Sequence, residues 1–425
     1  MTKLFSAIRL SFFLICFVSP FNQAFAQINV DAQYRPRFEV RNGYRELIPK
    51  DADPSLIASQ RMRLSLTYEK NFLKLVFSPQ DVRVWGDENL TSSTGVYGKH
   101  ASLDLYEGYI ELKPTPSVRL SIGRQVLSYD NQRLLSERDW NQNGLAYDAV
   151  VLKMEKERTD IHIGASWNSL EATTSENFYP SGRIKSLNFL WIEHKFSDNL
   201  KGTFSHIASG VTKTDSSSTM NFRQTSGIYI DLNTKNIRAK SNLYYQFGNN
   251  REGTNVSALL ADADIMLKPG KICPGMGFSY LSGNKNLNGE TDHLFDVLYG
   301  ARHRFFGHMD YFRNISSHTR GGGLVDLYVY LNLKASNKIN IKNTGHFFSL
   351  AQHNDFTPDN KYLGYENELK FNYRFVDWGN LEAAWLFYLT TDSFEQLQNI
   401  NNPRFPQFVY VSLSVNTNIF KEIDR

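Results

Sequence analysis

The sequence predicts an all-β protein, an antiparallel transmembrane β-barrel of about 18 strands with short periplasmic turns and long extracellular loops. Three observations indicate this fold. Apolar and polar residues alternate along many segments, short and long connections between those segments also alternate, and no apolar run after the N-terminal leader is long enough for a membrane-spanning helix. The mean hydropathy of −0.41 fits a barrel, because only alternate residues of each strand contact lipid.

The N-terminus has the pattern of a secretory signal peptide. Basic residues precede the apolar run 10–18, and an A-x-A cleavage motif ends at Ala26. We therefore expect a signal peptide over residues 1–26 and one barrel domain over residues 27–425, in the outer membrane of a Gram-negative-type envelope. A lipoprotein reading through Cys16 is disfavoured, because the residue before a lipidated cysteine would be small and here it is isoleucine.

The alternation is clearest in the segment 28–41, where even positions are mostly apolar and odd positions are polar. The same period of two recurs at 61–68, 259–267 and 325–334, as in strands with one face in lipid and one in water. About 18 such runs occur, an even number that places both termini in the periplasm. Pro36 lies inside the first run, and its missing N–H predicts a bulge or a local gap in the pairing there.

Two further features favour a barrel over the alternative, a soluble secreted sandwich or β-helix. The last predicted strand nearly ends the chain at Phe420, and a terminal strand with a closing aromatic resembles the signal read by the barrel-assembly machinery. The chain also contains 30 Phe, 22 Tyr and 6 Trp, more than a soluble β fold commonly needs. In a barrel, Phe suits lipid contact, and Tyr and Trp anchor at the membrane interfaces.

A cluster of arginines indicates what the lumen of such a barrel would attract. Eleven arginines lie between Arg35 and Arg138, and a barrel of this size encloses an aqueous channel. Guanidinium groups remain charged and bind carboxylates through two parallel hydrogen bonds. A row of them would lower the energy barrier that a polyanion meets on its way through the lumen. The candidate lumen residues are Arg35, Arg37, Arg41, Arg61, Arg63, Lys74, Arg83, Arg124, Arg133, Arg138, Glu39 and Glu107.

The alternative role for these arginines is a structural network that crosses the lumen. Carboxylates close to them in sequence could pair with each guanidinium and leave little free charge. Those carboxylates are Glu39, Asp81, Asp104, Glu107, Glu111 and Asp130.

No catalytic, metal or cofactor site is indicated. His303 and His308 are five residues apart, which matches no usual metal-ligand spacing. No GxSxG-type nucleophile motif occurs. We expect no cofactor and no enzymatic activity; the alternative is a barrel lipase or protease whose site residues lie far apart in the sequence.

The arginine-bearing segments, mainly in the first 155 residues, resemble the alginate export family of outer-membrane proteins. The motifs are Arg35-Pro36-Arg37-Phe38-Glu39, Ser59-Gln60-Arg61-Met62-Arg63, Gln80-Asp81-Val82-Arg83-Val84-Trp85-Gly86, Gly123-Arg124-Gln125, Asp130-Asn131-Gln132-Arg133-Leu134, Asp139-Trp140-Asn141, Leu145-Ala146-Tyr147-Asp148-Ala149 and His303-Arg304-Phe305-Phe306-Gly307-His308-Met309-Asp310-Tyr311-Phe312.

The resemblance implies a monomeric barrel with an arginine-rich constriction that passes a polyuronate outward, with loops and a periplasmic turn able to gate it. The implied partners are outer-membrane lipid, an anionic polysaccharide and a periplasmic export scaffold, with no nucleic acid. The family also uses basic residues from later strands, but Arg238, Lys240 and Arg374 lie in segments without a recognisable motif. Two alternatives stay open: a general anion or oligosaccharide uptake porin, and a barrel that binds an extracellular partner through its long loop 284–321.

Overall fold

The structure, a computed structural model, describes residues 26–86, 103–285, 289–357 and 360–423. It contains an 18-stranded antiparallel sheet in which strands adjacent in sequence pair, and the first strand pairs with the last to close a barrel. The predicted fold class and strand number are confirmed. The predicted signal peptide lies outside the described residues, apart from Ala26.

Twenty strands occur in the described residues, and two short ones, β12 and β15, form a separate parallel pair. Their bounds are β1 Ala26–Asn42, β2 Ser55–Lys70, β3 Leu73–Val84, β4 Leu103–Thr115, β5 Val118–Gln125, β6 Tyr147–Lys156, β7 Thr159–Trp167, β8 Ser186–Ser197, β9 Leu200–Thr212, β10 Met220–Asn233, β11 Ile237–Gly248, β12 Asn255–Val256, β13 Ala258–Leu267, β14 Ile272–Leu281, β15 Thr291–Asp292, β16 Leu324–Lys334, β17 Ile339–Ser349, β18 Tyr362–Val376, β19 Gly379–Thr390 and β20 Gln407–Ile423.

The connections are short at one end of the barrel and long at the other. Turns of two to four residues join strand pairs such as β2–β3 and β13–β14 at the end that carries the first and last strand termini. Two of the long connections are the inner loop, residues 126–146, and the long loop, residues 282–323. Short turns on the periplasmic side and long loops outside are the arrangement of outer-membrane barrels.

Among the described residues, helical segments occur only in the long connections. They are a 3₁₀ turn at Arg302–Arg304, α1 at Ile315–His318 and α2 at Asp392–Gln398. The hydroxyl of Thr391 caps α2 by accepting a hydrogen bond from the N–H of Phe394 at 3.3 Å. Within the described ranges, no helix is long and apolar enough to cross a membrane.

The predicted alternation of faces is present in the barrel wall. On the outer face Phe38 is 47% exposed and Met62 is 54% exposed, whereas Arg61 on the inner face is fully buried. Pro36 leaves a local gap in the ladder between β1 and β20, because neither Arg35 nor Pro36 pairs with a residue of β20. The pairing of both residues with β2 continues. The predicted interruption at Pro36 is therefore confirmed as a gap on one side of the strand.

The apolar core lies inside the barrel, because the inner loop and the long loop fold into it. Leu134 and Leu135 of the inner loop are buried, as are Phe306, Met309 and Phe312 of the long loop. The two loops also bond to each other, with the N–H of Ala301 donating to the carbonyl of Gln132 at 2.9 Å. The two loops thus narrow the lumen, and their side chains lie against the barrel wall.

Candidate channel lumen

Arg35 on β1 and Arg61 on β2, together called the arginine cage, hold the inner loop. Arg35 and Arg61 pair with Asp139 at 3.0 and 2.8 Å, and Arg35 Nε donates to Oε1 of Gln142 at 3.0 Å. Burial alone would raise the pKa of Asp139, but the two guanidinium groups outweigh it, so its pKa lies below the ordinary value. These two arginines therefore fix the position of the loop that narrows the lumen.

The neighbouring residues of β1 connect this cage to the long loop. Arg37 Nε contacts Oε1 of Glu39 at 2.7 Å, and Arg41 Nε donates to the other oxygen of Glu39 at 2.6 Å. The Arg37 guanidinium also lies 4.1 Å from the ring centre of Trp140 in the inner loop. His303 of the long loop stacks on the same indole, with 3.8 Å between ring centres. Both loops are thus attached to one side of the wall.

The inner loop is attached to the opposite wall through Arg133. Its Nε lies 2.6 Å from Asp262 Oδ2 on β13, and its Nη2 donates to the hydroxyl of Ser279 on β14 at 2.6 Å. Arg138 donates from Nη2 to the carbonyl of Leu298 in the long loop at 3.0 Å. Burial lowers the pKa of Arg138 to about 10, so it remains a cation at neutral pH.

Three other predicted residues lie on the inner face of β2, β3 and β4. Arg63 donates from Nη2 to Oε1 of Gln80 at 2.8 Å. Glu107 accepts a bond from the N–H of Val126 at 3.1 Å, where the inner loop begins. Lys74 is half-buried on β3.

Arg83 and Arg124 do not face the lumen, which corrects the prediction for both. The register between β2 and β3 is the same on both sides of Pro79, so Arg83 lies opposite Gln60, on the face that carries Met62. Arg124 shares the outward parity of Ile122 and pairs with the exposed Asp148 at 3.1 Å.

Two large cavities lie in the lumen among the described residues. The first, about 450 Å³, lies between the inner loop and the long loop, and Arg138 is part of its lining. The second, about 370 Å³, lies between the long loop and the wall of β11, β13, β14 and β16 to β18, and Arg133 is part of its lining. Arg304 and His308 line both cavities and so mark the boundary between them. The Arg304 side chain is exposed there.

The acids of the second cavity are all engaged by donors. The contacts are Asp262 with Arg133, Asp264 with the hydroxyls of Tyr328 and Tyr330, Asp326 with His346, and Glu368 with His308 and Lys370. By contrast, four cations of the lining make no ion pair or side-chain hydrogen bond with any described residue: Arg238, Lys240, Arg304 and Lys342. Lys342 lies 4.3 Å from the ring centre of Tyr330. The unpaired charges of this cavity are therefore positive.

Sequence reasoning missed Arg304 and Lys342 and left Arg238 and Lys240 unplaced. Arg238 and Lys240 alternate with the outward-facing Ala239 on β11, so parity alone could have assigned them to the lumen. Arg304 had no such signal, because it lies in a loop without periodicity.

His308 attaches the long loop to β18. Its Nδ1–H donates to Glu368 at 2.5 Å, and its Nε2 accepts from the ammonium of Lys370 at 2.9 Å. Burial lowers the pKa of His308 to about 3 despite the attraction of Glu368, so the ring is neutral at neutral pH. Asp310 lies 2.8 Å from Nδ1 of His303. Burial alone would raise the pKa of Asp310, but His303 and the other donors around it outweigh burial and hold that pKa at about 2. No group of residues in the described ranges could hold a metal ion.

Comparisons with solved structures give the fold. The structure of Acinetobacter baumannii OccAB1 superposes with a TM-score of 0.63 at 13% identity, covering 92% of this chain and 97% of that one. A BenF-like porin from Pseudomonas fluorescens Pf-5 gives a TM-score of 0.61 at 12% identity, with 92% and 99% covered. Pseudomonas aeruginosa OpdL gives 0.58 at 13% identity, with 94% and 99% covered.

Comparisons at the level of sequence identify the family. No curated protein matches the chain. The profile of the family described as alginate export matches residues 26–358, more than three quarters of the sequence. The match includes the arginine cage and both loops that line the cavities. The chain therefore belongs to the alginate export family, as an outer-membrane β-barrel channel.

Proposed function

We propose that this channel passes an acidic exopolysaccharide such as alginate by passive transport, through a lumen that selects anions. The observation that carries the proposal is the charge state of the second cavity, whose acids are all engaged while Arg238, Lys240, Arg304 and Lys342 are unpaired. The family membership supports a polyuronate as the cargo.

The basic residues have two roles in this function. The ion-paired Arg35, Arg61 and Arg133 hold the loops that shape the lumen. The unpaired cations contact the solute, with Arg304 at the boundary between the cavities. Several separate cations suit a polymer with a carboxylate on each sugar, because each contact is weak enough to break while the next one forms.

Membership of the alginate export family supports three further features. The barrel functions as a monomer in outer-membrane lipid, and a periplasmic scaffold delivers the polysaccharide to the turn side. The channel itself catalyses no reaction. The engaged carboxylates fit this role, because each is held by a neighbouring donor, as Glu368 is by His308 and Lys370.

Block of ionic current tests the function. Alginate oligosaccharides added on the periplasmic side of a planar bilayer should reduce the current through the purified channel, and neutral malto-oligosaccharides of equal length should not. Arg304→Gln should weaken the block about tenfold, whereas Arg251→Gln, at an exposed pair with Glu252 outside the lumen, should leave it unchanged. Equal block by neutral and acidic oligosaccharides would reject the proposal.

A second candidate is a general uptake porin for anions or oligosaccharides, which the same unpaired cations favour. The two functions differ in the size of the permeant solute and the direction of its flux. Liposomes that contain the channel distinguish them: rapid swelling in monomeric uronates with no polymer transit would favour uptake. A third candidate, binding of an outside partner by the long loop, has less support, because Phe306, Met309 and Phe312 of that loop are buried in the barrel.

A further inference from the structure

An apolar groove runs along the outer, lipid-facing surface of the barrel, away from the lumen. Its volume is about 740 Å³, and it lies across strands β9 to β11, β13, β14, β16 and β17. Bulky side chains that line it include Ile230, Leu232, Ile265, Phe278 and Phe347. A flat barrel wall in lipid has no such depression, so a local feature of the sequence must create it.

Small residues on two adjacent strands form the floor of the groove. Ser241 on β11 lies opposite Ala263 on β13, and Ala239 lies two residues before Ser241 on the same face. The Ser241 hydroxyl donates to the carbonyl of Asp262 at 2.9 Å, so the floor exposes no unsatisfied donor to lipid. Ile230 lies beside this floor on β10, and Phe278 lies beside it on β14.

Lysines line the periplasmic end of the same strands. The three turns β10–β11, β13–β14 and β16–β17 contain four lysines and no acid, and a fifth lysine, Lys334, is the last residue of β16. Lys235, Lys271 and Lys334 are exposed, and their side chains make no hydrogen bond or ion pair within the described residues. Ala239 is four residues from Lys235, which places the groove floor about 13 Å from the lysines at 3.3 Å per residue.

We infer that the groove and the lysine turns form one binding site for an anionic phospholipid. An acyl chain lies in the groove over Ala239 and Ala263, and the phosphate lies among Lys235, Lys271 and Lys334. Lysines at a membrane surface attract anionic headgroups, and an apolar groove continuous with them selects an amphiphile. An acidic periplasmic protein would use the lysines alone, since the groove faces lipid.

Native mass spectrometry of the detergent-purified channel with added dioleoyl phosphatidylglycerol tests the site. We expect the wild-type channel to retain at least threefold more of this lipid than of dioleoyl phosphatidylcholine. Ala263→Phe, which fills the groove, should remove that excess. Ala261→Phe is the matched control, because Ala261 lies on the same strand and face but outside the groove, and it should leave the excess intact.

A second pair of variants tests the lysines. Lys235→Gln with Lys271→Gln should reduce phosphatidylglycerol retention at least threefold, and Lys70→Gln with Lys156→Gln, exposed lysines at other turns, should not. Equal retention of the two lipids by the wild type, or retention unaffected by filling the groove or removing its lysines, would overturn the inference. Conductance and its block by uronates should be normal in all these variants, so the result is independent of the proposed function.

Discussion

Arg133 fixes the inner loop to the far wall of the barrel, and Asp262→Asn tests what that attachment contributes. The two side chains are 3% and 7% exposed and lie 2.6 Å apart. The substitution removes the negative charge but keeps the shape of the side chain, whose other oxygen accepts a bond from Asn242 at 2.8 Å in the wild type. It therefore leaves a buried guanidinium without its counter-charge.

The expected magnitude follows from the burial of the pair. Loss of one partner of a buried ion pair costs about 3–5 kcal/mol. Because the amide oxygen of asparagine can still accept a bond from Arg133, we expect the low end, about 3 kcal/mol, which is about a 100-fold change in the equilibrium between docked and undocked inner loop. The barrel should still close, since its ladder contributes separately.

Single-channel recording in planar bilayers measures the effect. Asp262→Asn should raise the mean conductance and increase switching between conductance levels, because the loop leaves the lumen more often. Asp264→Asn is the control and should leave the switching unchanged, because Asp264 lies two residues further on the same strand and, among the described residues, accepts hydrogen bonds only from the hydroxyls of Tyr328 and Tyr330. Conductance and switching that are the same in wild type and Asp262→Asn would refute the role of Arg133 as a loop anchor.

Two other predictions concern the long loop. Gly307 has φ +76°, and a Cβ there would lie 2.4 Å from Oε2 of Glu366. Gly307→Ala should therefore destabilise the docked loop by about 1–3 kcal/mol and lower the thermal unfolding midpoint of the protein. An unchanged midpoint would contradict this. In the docked long loop His308 is neutral, because its pKa is about 3, against 6.5 for a free histidine. The undocked loop therefore binds one more proton between these two values, and docking weakens as the pH falls from 6.5 towards 3. Switching should increase from pH 7.5 to 5, and His308→Asn should reduce this pH dependence; an identical dependence in the variant would assign it to other groups.

The barrel could be predicted from the sequence because its signals are local. Period-two alternation along runs such as 28–41 and the contrast between short and long connections depend only on neighbouring residues. The same parity rule, applied strictly, would also have assigned Arg124 to the outer face with Ile122, and Arg238 to the lumen. The position of each arginine in the alternation, and not the abundance of arginine around it, determines the face on which it lies.

The paths of the inner loop and the long loop could not be predicted, because they depend on contacts between distant parts of the chain. Arg35 and Asp139 are 104 residues apart, and Arg133 and Asp262 are 129 residues apart. No periodicity indicates that a loop folds inward. For the same reason Arg304 gave no signal, although it lies at the boundary of both cavities.

The central claim is that unpaired cations make the lumen select anions. The reversal potential in a potassium chloride gradient is its most direct test. The wild-type channel should prefer chloride, and the combined variant Arg238→Gln, Lys240→Gln and Lys342→Gln should lose most of that preference while its barrel remains folded. Lys70→Gln with Lys156→Gln should keep it. A wild-type channel that prefers potassium, or a triple variant with the preference of the wild type, would contradict the account.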